Sequence, residues 1–263
     1  TRIVFAGAGS IGTALGHVLA ANNDLDITLL TIEKNVATSI NQKHINESYF
    51  PNVGLNPALK ASTDTNIIKT ADVLFLAIPS NKVIDYLQAN ASKIPQETIV
   101  VNLAKGFGKD QQTIPECISK ILPNTVCSLK GPTFAKELIH YSPTSFTLAS
   151  EDAGVFVFFD TIFKDSIIFL DYTNDILGVE LLSMLKNIYA IIMGVVDAHF
   201  STSNLRFLVL TKALNEMRNI LIKLGGKKKT IFKYCGIGDF ALTALNDLSR
   251  NRTLGLLIGK GFF

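Results

Sequence analysis

The sequence predicts an α/β protein, with a Rossmann-like doubly wound domain over residues 1–174 and an all-helical domain over residues 175–263. Three features predict it. A glycine-rich turn near the start joins a short apolar run to a helical pattern. Further short apolar runs then alternate with helical patterns as far as Tyr172, as in a parallel sheet covered by helices on both faces. Beyond Asn174 no strand pattern recurs, and the stretch 177–197 is apolar around almost its whole circumference, as a buried helix is.

A length of 263 residues suits one large or two ordinary domains. A hydrophobic share of 48% with 18% charged residues excludes disorder. The stretch 177–197 carries Glu180, Lys186 and Asn187, and no other run reaches about 18 uncharged apolar residues, so no membrane span is expected. A net charge of +3 is too small to argue for nucleic-acid binding, and Lys227, Lys228 and Lys229, after Gly225 and Gly226, read as a solvated loop. Cys117, Cys127 and Cys235 are odd in number, widely spaced and without a Cys-x-x-Cys pair. That pattern fits a reducing, cytoplasmic setting rather than a disulfide framework or a zinc site, and no metal is expected. No charged-then-apolar leader precedes the first strand, so no secretion signal is expected, and Thr1 in place of methionine predicts a trimmed N-terminus.

Residues 2–6 form the first strand and 13–21 continue as a helix, with GAGSIG between them. Gly7 permits the tight turn, Gly9 lets the backbone approach a pyrophosphate, and Gly12 lets the helix pack on the strand. The anion then sits on the helix N-terminus, where free N–H groups and the dipole favour it. The competing assignment is an ordinary glycine-rich βα turn. A second strand over residues 26–31 is followed by Glu33, about twenty residues beyond Gly12, where an acid holds the ribose 2′-hydroxyl of NAD. Glu33 stands slightly past the usual strand end, so a solvated helix-start carboxylate competes with that role and NADP stays open.

Turn signals occupy Pro51 to Gly54 and Asn56-Pro57, and residues 72–79 (DVLFLAIP) form a near-continuous apolar strand. Strands read again at 98–103, 125–129, 145–149 and 166–171. Lys105-Gly106 follows one of these strands and Gly131-Pro132-Thr133-Phe134-Ala135 another. Ligands in open α/β sheets lie beyond the carboxyl ends of strands, so both loops are placed to touch one.

In the helix over 177–197, Ser183, Lys186, Asn187, Ala190 and Gly194 fall on one side at helical spacing. Burial disfavours the charged form of a lysine and lowers its pKa, which makes Lys186 a candidate general base. A structural lysine that snorkels to the surface or meets Glu180 is the alternative. Further on come Gly236-Ile237-Gly238-Asp239, Thr243 and Ser249-Arg250-Asn251-Arg252. Arginine forks beside Ser and Asn suit a phosphate clamp, and Asp239 facing Lys186 would orient its ammonium.

In these motifs the sequence resembles the NAD(P)-dependent sn-glycerol-3-phosphate dehydrogenases. GAGSIGTAL resembles the family's opening GGGSxGTAL, and INxxxxNxxYxP is met from Ile40 to Pro51. The Lys105-Gly106 loop, GPTFAKEL from Gly131, GVELxxxLKN from Gly178, GxGDFxLT from Gly236 and SRNR from Ser249 follow in the family's order. The resemblance implies that Lys186 is the general base for the C2 hydroxyl, with Lys105, Asp239 and Thr243 around the reacting end. It implies that Ser249, Arg250 and Asn251 hold the substrate phosphate and that Gly131 and Thr133 contact substrate. Ser10, Ile11 and Ala135 would lie against the cofactor with Gly7, Gly9, Gly12 and Glu33, and Lys105 and Arg250 would reach it too.

Ile11 replaces the family's usual aromatic, and Ile32-Glu33 stand where bacterial members often carry arginines, which favours NAD. Residues 198–204 (AHFSTSN) replace a glycine-rich loop, and the chain ends at Gly261-Phe262-Phe263 where relatives continue. The helical domain is therefore expected to be incomplete at its C-terminus and to leave apolar surface exposed. The lead expectation is an oxidoreductase interconverting sn-glycerol 3-phosphate and dihydroxyacetone phosphate with NAD(P), for phospholipid synthesis, its partner a phosphorylated small molecule. A related hydroxy-acid reductase and a truncated, silent remnant that still binds nucleotide are the alternatives. A homodimer stays open.

Overall fold

The computed structural model describes residues 1–200 and 202–262, so Ser201 of the 198–204 segment and Phe263 lie outside the described residues. Among the described residues eight strands form one sheet in the order β3-β2-β1-β4-β5-β6-β7-β8. They are β1 (Arg2–Ala6), β2 (Asp26–Leu30), β3 (Lys60–Ser62), β4 (Val73–Leu76), β5 (Ile99–Asn102), β6 (Val126–Lys130), β7 (Thr144–Ala149) and β8 (Ile168–Thr173). Pairing from β3 through to β6 is parallel, β6 meets β7 antiparallel, and β7 and β8 run parallel to each other.

The reversed outer pair departs from a uniformly parallel sheet, and the connection explains it. Between β6 and β7 the chain makes only a four-residue helix, α5 (Ala135–Leu138), where a parallel crossover would need a full helix laid over the sheet. The sequence also gives no sign of β3, whose three residues, Lys-Ala-Ser, carry no apolar run. It is an edge strand placed by pairing with β2. The apolar run 72–79 stops being a strand at Leu76, and Pro79 stands directly before the next helix.

Alternate residues of the central strands face opposite layers. Phe5 and Phe75 point to one side, stacked with centroids 4.6 Å apart, against α1 (Ser10–Leu19) and α6 (Ala153–Phe163). Val4, Leu74 and Val100 point to the other, against α3 (Ser80–Asn90) and α4 (Ile114–Ile121). The remaining helix of this part, α2 (Lys34–Lys43), follows β2.

After β8 the described chain is helical: α7 (Ile176–His199), α8 (Ser203–Lys223), α9 (Asp239–Leu245) and α10 (Arg250–Gly259), with short helical turns between α8 and α9. Asp175 caps α7 by accepting from Gly178 N–H at 2.9 Å, and it also accepts from Lys227 N–H at 2.7 Å, tying the following turn to the helix start. α7 is long and apolar enough to cross a membrane by composition alone. Here Val179, Leu182 and Met193 are buried in the helical core with Met217 of α8 and Phe240 of α9, and both of its mid-helix charges are ion-paired.

The small-residue strip on α7 is where α10 crosses. A side chain at Gly194 would run into the Arg252 carbonyl, and one at Gly255 into that of Ile191, so the two backbones touch without side chains between them. Asp197, near the end of α7, accepts from Arg206 of α8 at 2.9 Å and from Arg252 of α10, which fixes three helices to one carboxylate. Ile188, Ile192, Phe207, Leu208, Leu257 and Ile258 of these helices remain exposed.

Candidate active site

The first βα turn has the backbone that its glycines permit. Gly7 has φ +116°, and a Cβ there would lie 2.6 Å from the Ala77 carbonyl oxygen. Gly12 presses directly on the Gly7 carbonyl. Gly9 is different: the nearest protein atoms to a Cβ are those of the Tyr49 ring, at 3.9 Å, so protein contacts do not demand glycine there. That space borders the N-terminus of α1, which no side chain caps and whose first amides are open to an anion. The turn is pinned by Asn46, whose amide donates to the Ala8 carbonyl at 2.9 Å and to Thr13 Oγ1 at 2.8 Å. This chain's residues therefore fit the pyrophosphate of a dinucleotide.

Glu33 is exposed at the start of α2, and its carboxylate makes no capping hydrogen bond. Beside it Ile32 is 97% exposed.

A cleft of about 480 Å³ opens beyond the carboxyl ends of β1, β4, β5 and β6. Its lining includes Ser10 and Ile11 from α1, Lys105 after β5, Gly131, Thr133 and Ala135 after β6, and Arg250 at the start of α10. Gly131 cannot be replaced without overlap with the Ser145 carbonyl, and Thr133 Oγ1 shares a 2.8 Å hydrogen bond with Thr144 Oγ1.

Lys186, Asp239 and Thr243 are buried and do not line the cleft; Lys105 connects them to it. Asp239 starts α9 straight after a distorted turn, Tyr234–Gly238, in which Gly236 packs too tightly on the Ile231 carbonyl to carry a side chain. That turn aims Asp239 at α7. Lys186 donates to Asp239 Oδ1 and, at 2.9 Å, to Thr243 Oγ1. Lys105 lies 3.3 Å from Asp239 Oδ2, with its side chain 34% exposed. Burial, and then the neighbouring charge of Lys105, push Lys186 down to about 7 against the opposing pull of Asp239. A lysine so placed exchanges its proton near neutral pH.

Glu180 is not the partner of Lys186. It is held by Lys130 at 3.2 Å, by Asn102 Nδ2 at 2.9 Å and by the Ser128 hydroxyl. Lys130, Asn102 and Ser128 are buried polar groups next to the site that local sequence pattern does not single out, apart from a lysine after an apolar run just before Gly131; Asn46 lies in the INxxxxNxxYxP motif.

The Ser249–Arg252 fork is divided. Ser249 is the N-cap of α10 and accepts from Arg252 N–H at 3.3 Å, so its hydroxyl is engaged in holding the helix. Arg252 turns away to Asp197 and Asp247. Asn251 donates to Asn187 Oδ1 at 2.8 Å. Arg250 alone of the four faces the cleft.

Two family models match the chain, the NAD-dependent glycerol-3-phosphate dehydrogenase N-terminus over residues 2–155 and the corresponding C-terminus over residues 175–262. A glycerol-3-phosphate dehydrogenase [NAD(P)+] of Leptospira biflexa is 36% identical over 266 residues, covering 99% of this chain and 80% of the relative. One from Oleidesulfovibrio alaskensis is 34% identical with the same coverage of both chains. The crystal structure of glycerol-3-phosphate dehydrogenase from Coxiella burnetii superposes with a TM-score of 0.91 at 29% identity, covering 99% of this chain and 80% of that one. The glycine turn, the buried lysine–aspartate pair and these matches agree: the chain belongs to the NAD-dependent glycerol-3-phosphate dehydrogenase family.

Proposed function

We propose that the protein interconverts sn-glycerol 3-phosphate and dihydroxyacetone phosphate, with Lys186 as the acid–base group. The observation that carries this reading is the buried Lys186–Asp239–Thr243 cluster, joined to the cleft through Lys105. A bound nicotinamide supplies the redox chemistry by accepting or returning a hydride. The protein moves the proton. In the oxidising direction neutral Lys186 accepts the proton of the C2 hydroxyl, and in the reducing direction its ammonium returns it. Lys105 stabilises negative charge developing on the C2 oxygen, since its ammonium stands at the cleft and is already preorganised by Asp239.

Arg250 supplies the cationic contact for the substrate phosphate, with Gly131 and Thr133 forming the facing wall and Asn251 and Ser249 supporting it through α10. Gly7, Gly9, Gly12, Ser10 and Ile11 hold the dinucleotide with Ala135, and Glu33 with no neighbouring arginine favours NAD over NADP. The units in this reading are a dinucleotide-binding domain to residue 174 and a catalytic helical domain from 175. The product supplies backbones for phospholipid synthesis, and the three free, buried thiols suit a reducing cytoplasm.

The test is absorbance at the nicotinamide band with glycerol 3-phosphate and NAD, for the wild type and Lys186→Ala. Turnover that disappears in the variant supports the reading. A wild type that binds NAD without turnover reduces the protein to a nucleotide-binding member of its family.

A further inference from the structure

Lys130 and Glu180 form an ion pair beneath the cleft, with Nζ 3.2 Å from Oε1 and both side chains at 0% exposure. Burying two charges in this way contributes little net stability, because desolvation offsets their attraction. Glu180 Oε2 is also buried without a hydrogen-bond partner among the described residues, which a pair serving stability alone does not explain.

The other contacts of the pair converge on one short segment. Lys130 donates to the carbonyl of Asn102 at 3.2 Å and to that of Ala104. Glu180 accepts from Asn102 Nδ2 at 2.9 Å, and Asn102 Oδ1 in turn accepts from Ala104 N–H at 3.0 Å. Residues 102–104 are thus gripped from β6 and from α7 where the chain leaves the sheet. The next residue is Lys105, and Gly106 follows with φ +153°, so the chain turns sharply after it. A lysine side chain is long and mobile, and where its ammonium rests depends on where its Cα is held.

We infer that Lys130 and Glu180 are positioning residues that fix residues 102–104 so that Lys105 stays on the outer oxygen of Asp239. The inference rests on the proposed roles of Lys186 and Lys105. The charges around the pair are Lys105 on the held loop and Asp239 from α9; those around Lys186 are Lys105 and Asp239, with the Thr243 hydroxyl. Lys105 is the second cause, after burial, of the low pKa of Lys186. Loosening the segment should therefore be felt at Lys186, which touches neither member of the pair.

The test is Lys130→Met/Glu180→Gln, which removes both charges together and keeps acceptors for Asn102 and Ser128. Three readouts are taken: thermal unfolding, pH-dependent acylation of Lys186 followed by mass spectrometry without substrate or cofactor, and steady-state oxidation of glycerol 3-phosphate. The expected result is a near-native unfolding midpoint and an acylation midpoint for Lys186 moved upward by roughly a unit as Lys105 withdraws. Turnover should fall about ten- to hundred-fold, the scale of a misplaced catalytic group, with NAD affinity unchanged. In a Lys105→Ala background the same pair of changes should no longer move the Lys186 midpoint.

A folded double variant with unchanged midpoint and turnover overturns the inference, and so does a shift that persists without Lys105. If the double variant does not fold, Glu180→Gln alone decides, by an upward shift or none. Loss of turnover in Lys186→Ala beside normal pair variants defeats the positioning role and leaves the reaction standing. A wild type without turnover defeats the reaction, and the acylation midpoints still decide the positioning role.

Discussion

Lys186 and Lys105 share one carboxylate: Asp239 Oδ1 accepts from the first, and Oδ2 lies 3.3 Å from the second. Two ammonium groups on one carboxylate leave an uncompensated positive charge at the cleft. That charge favours the loss of a proton from the more deeply buried lysine and suits the anionic substrate of the proposed reaction.

Lys186→Ala should lower turnover by about 10²–10⁴-fold, the range for losing a general acid–base group, with NAD affinity unchanged. Fluorescence titration with NAD beside steady-state kinetics checks both parts. Near-normal turnover in the variant would make the lysine structural.

The pH profile follows from the direction of the Lys186 shift. In the proposed reaction neutral Lys186 is the base, so kcat/KM for oxidation should rise through about 7, while reduction, which needs the ammonium, should fall over the same range. Lys105→Met removes a charge that pushes the pKa down, and the rise should move to higher pH. The stability consequence has its own sign. The folded pKa lies below the unfolded one, so protonation favours unfolding, fully below about 7 and progressively less as pH climbs toward the ordinary lysine value. Lys186→Met should therefore gain stability relative to the wild type at pH 6 more than at pH 9, read by denaturant midpoints.

Arg250→Leu should raise KM for glycerol 3-phosphate. Losing a charge-assisted contact costs roughly 1.5–3 kcal/mol, a ten- to hundred-fold change. Arg252→Leu should act differently, lowering the unfolding midpoint, because its guanidinium binds Asp197 and Asp247. Equal effects of the two on KM would argue against the division of the fork.

Glu33→Gln should narrow the preference for NAD over NADP, measured as the ratio of the two kcat/KM values. The carboxylate is exposed and engaged in no capping hydrogen bond, so the change carries little structural effect. Tighter NADP than NAD binding in the wild type would defeat the assignment.

Gly194→Val should destabilise the helical region by about 1–3 kcal/mol or more, since α10's backbone occupies the space a side chain needs. Thermal unfolding reads it directly. Gly54→Ala, where nothing lies within 4 Å of a Cβ, is the control and should leave the midpoint nearly unchanged.

What the sequence by itself determined were the features written into local pattern. Apolar runs located seven of the eight described strands, most of them buried on both faces, and GAGSIG placed the first βα turn, where Gly7 and Gly12 leave no room for a side chain. The small-residue strip on α7 showed that something comes close, and the lone Lys186 on it stood out as a candidate. Tertiary structure alone decided the partners. Glu180 is six residues from Lys186 in sequence, yet it pairs with Lys130 of the sheet, while Asp239 reaches Lys186 from a separate helix. Likewise Arg250 and Arg252 look alike in sequence but face different ways, one into the cleft and one into the helical core. The edge strand β3 has no apolar run of its own and exists only through pairing with β2. Charges and hydrogen bonds find partners by distance in space, and chain separation carries almost no information about that distance until the sheet and helices are assembled.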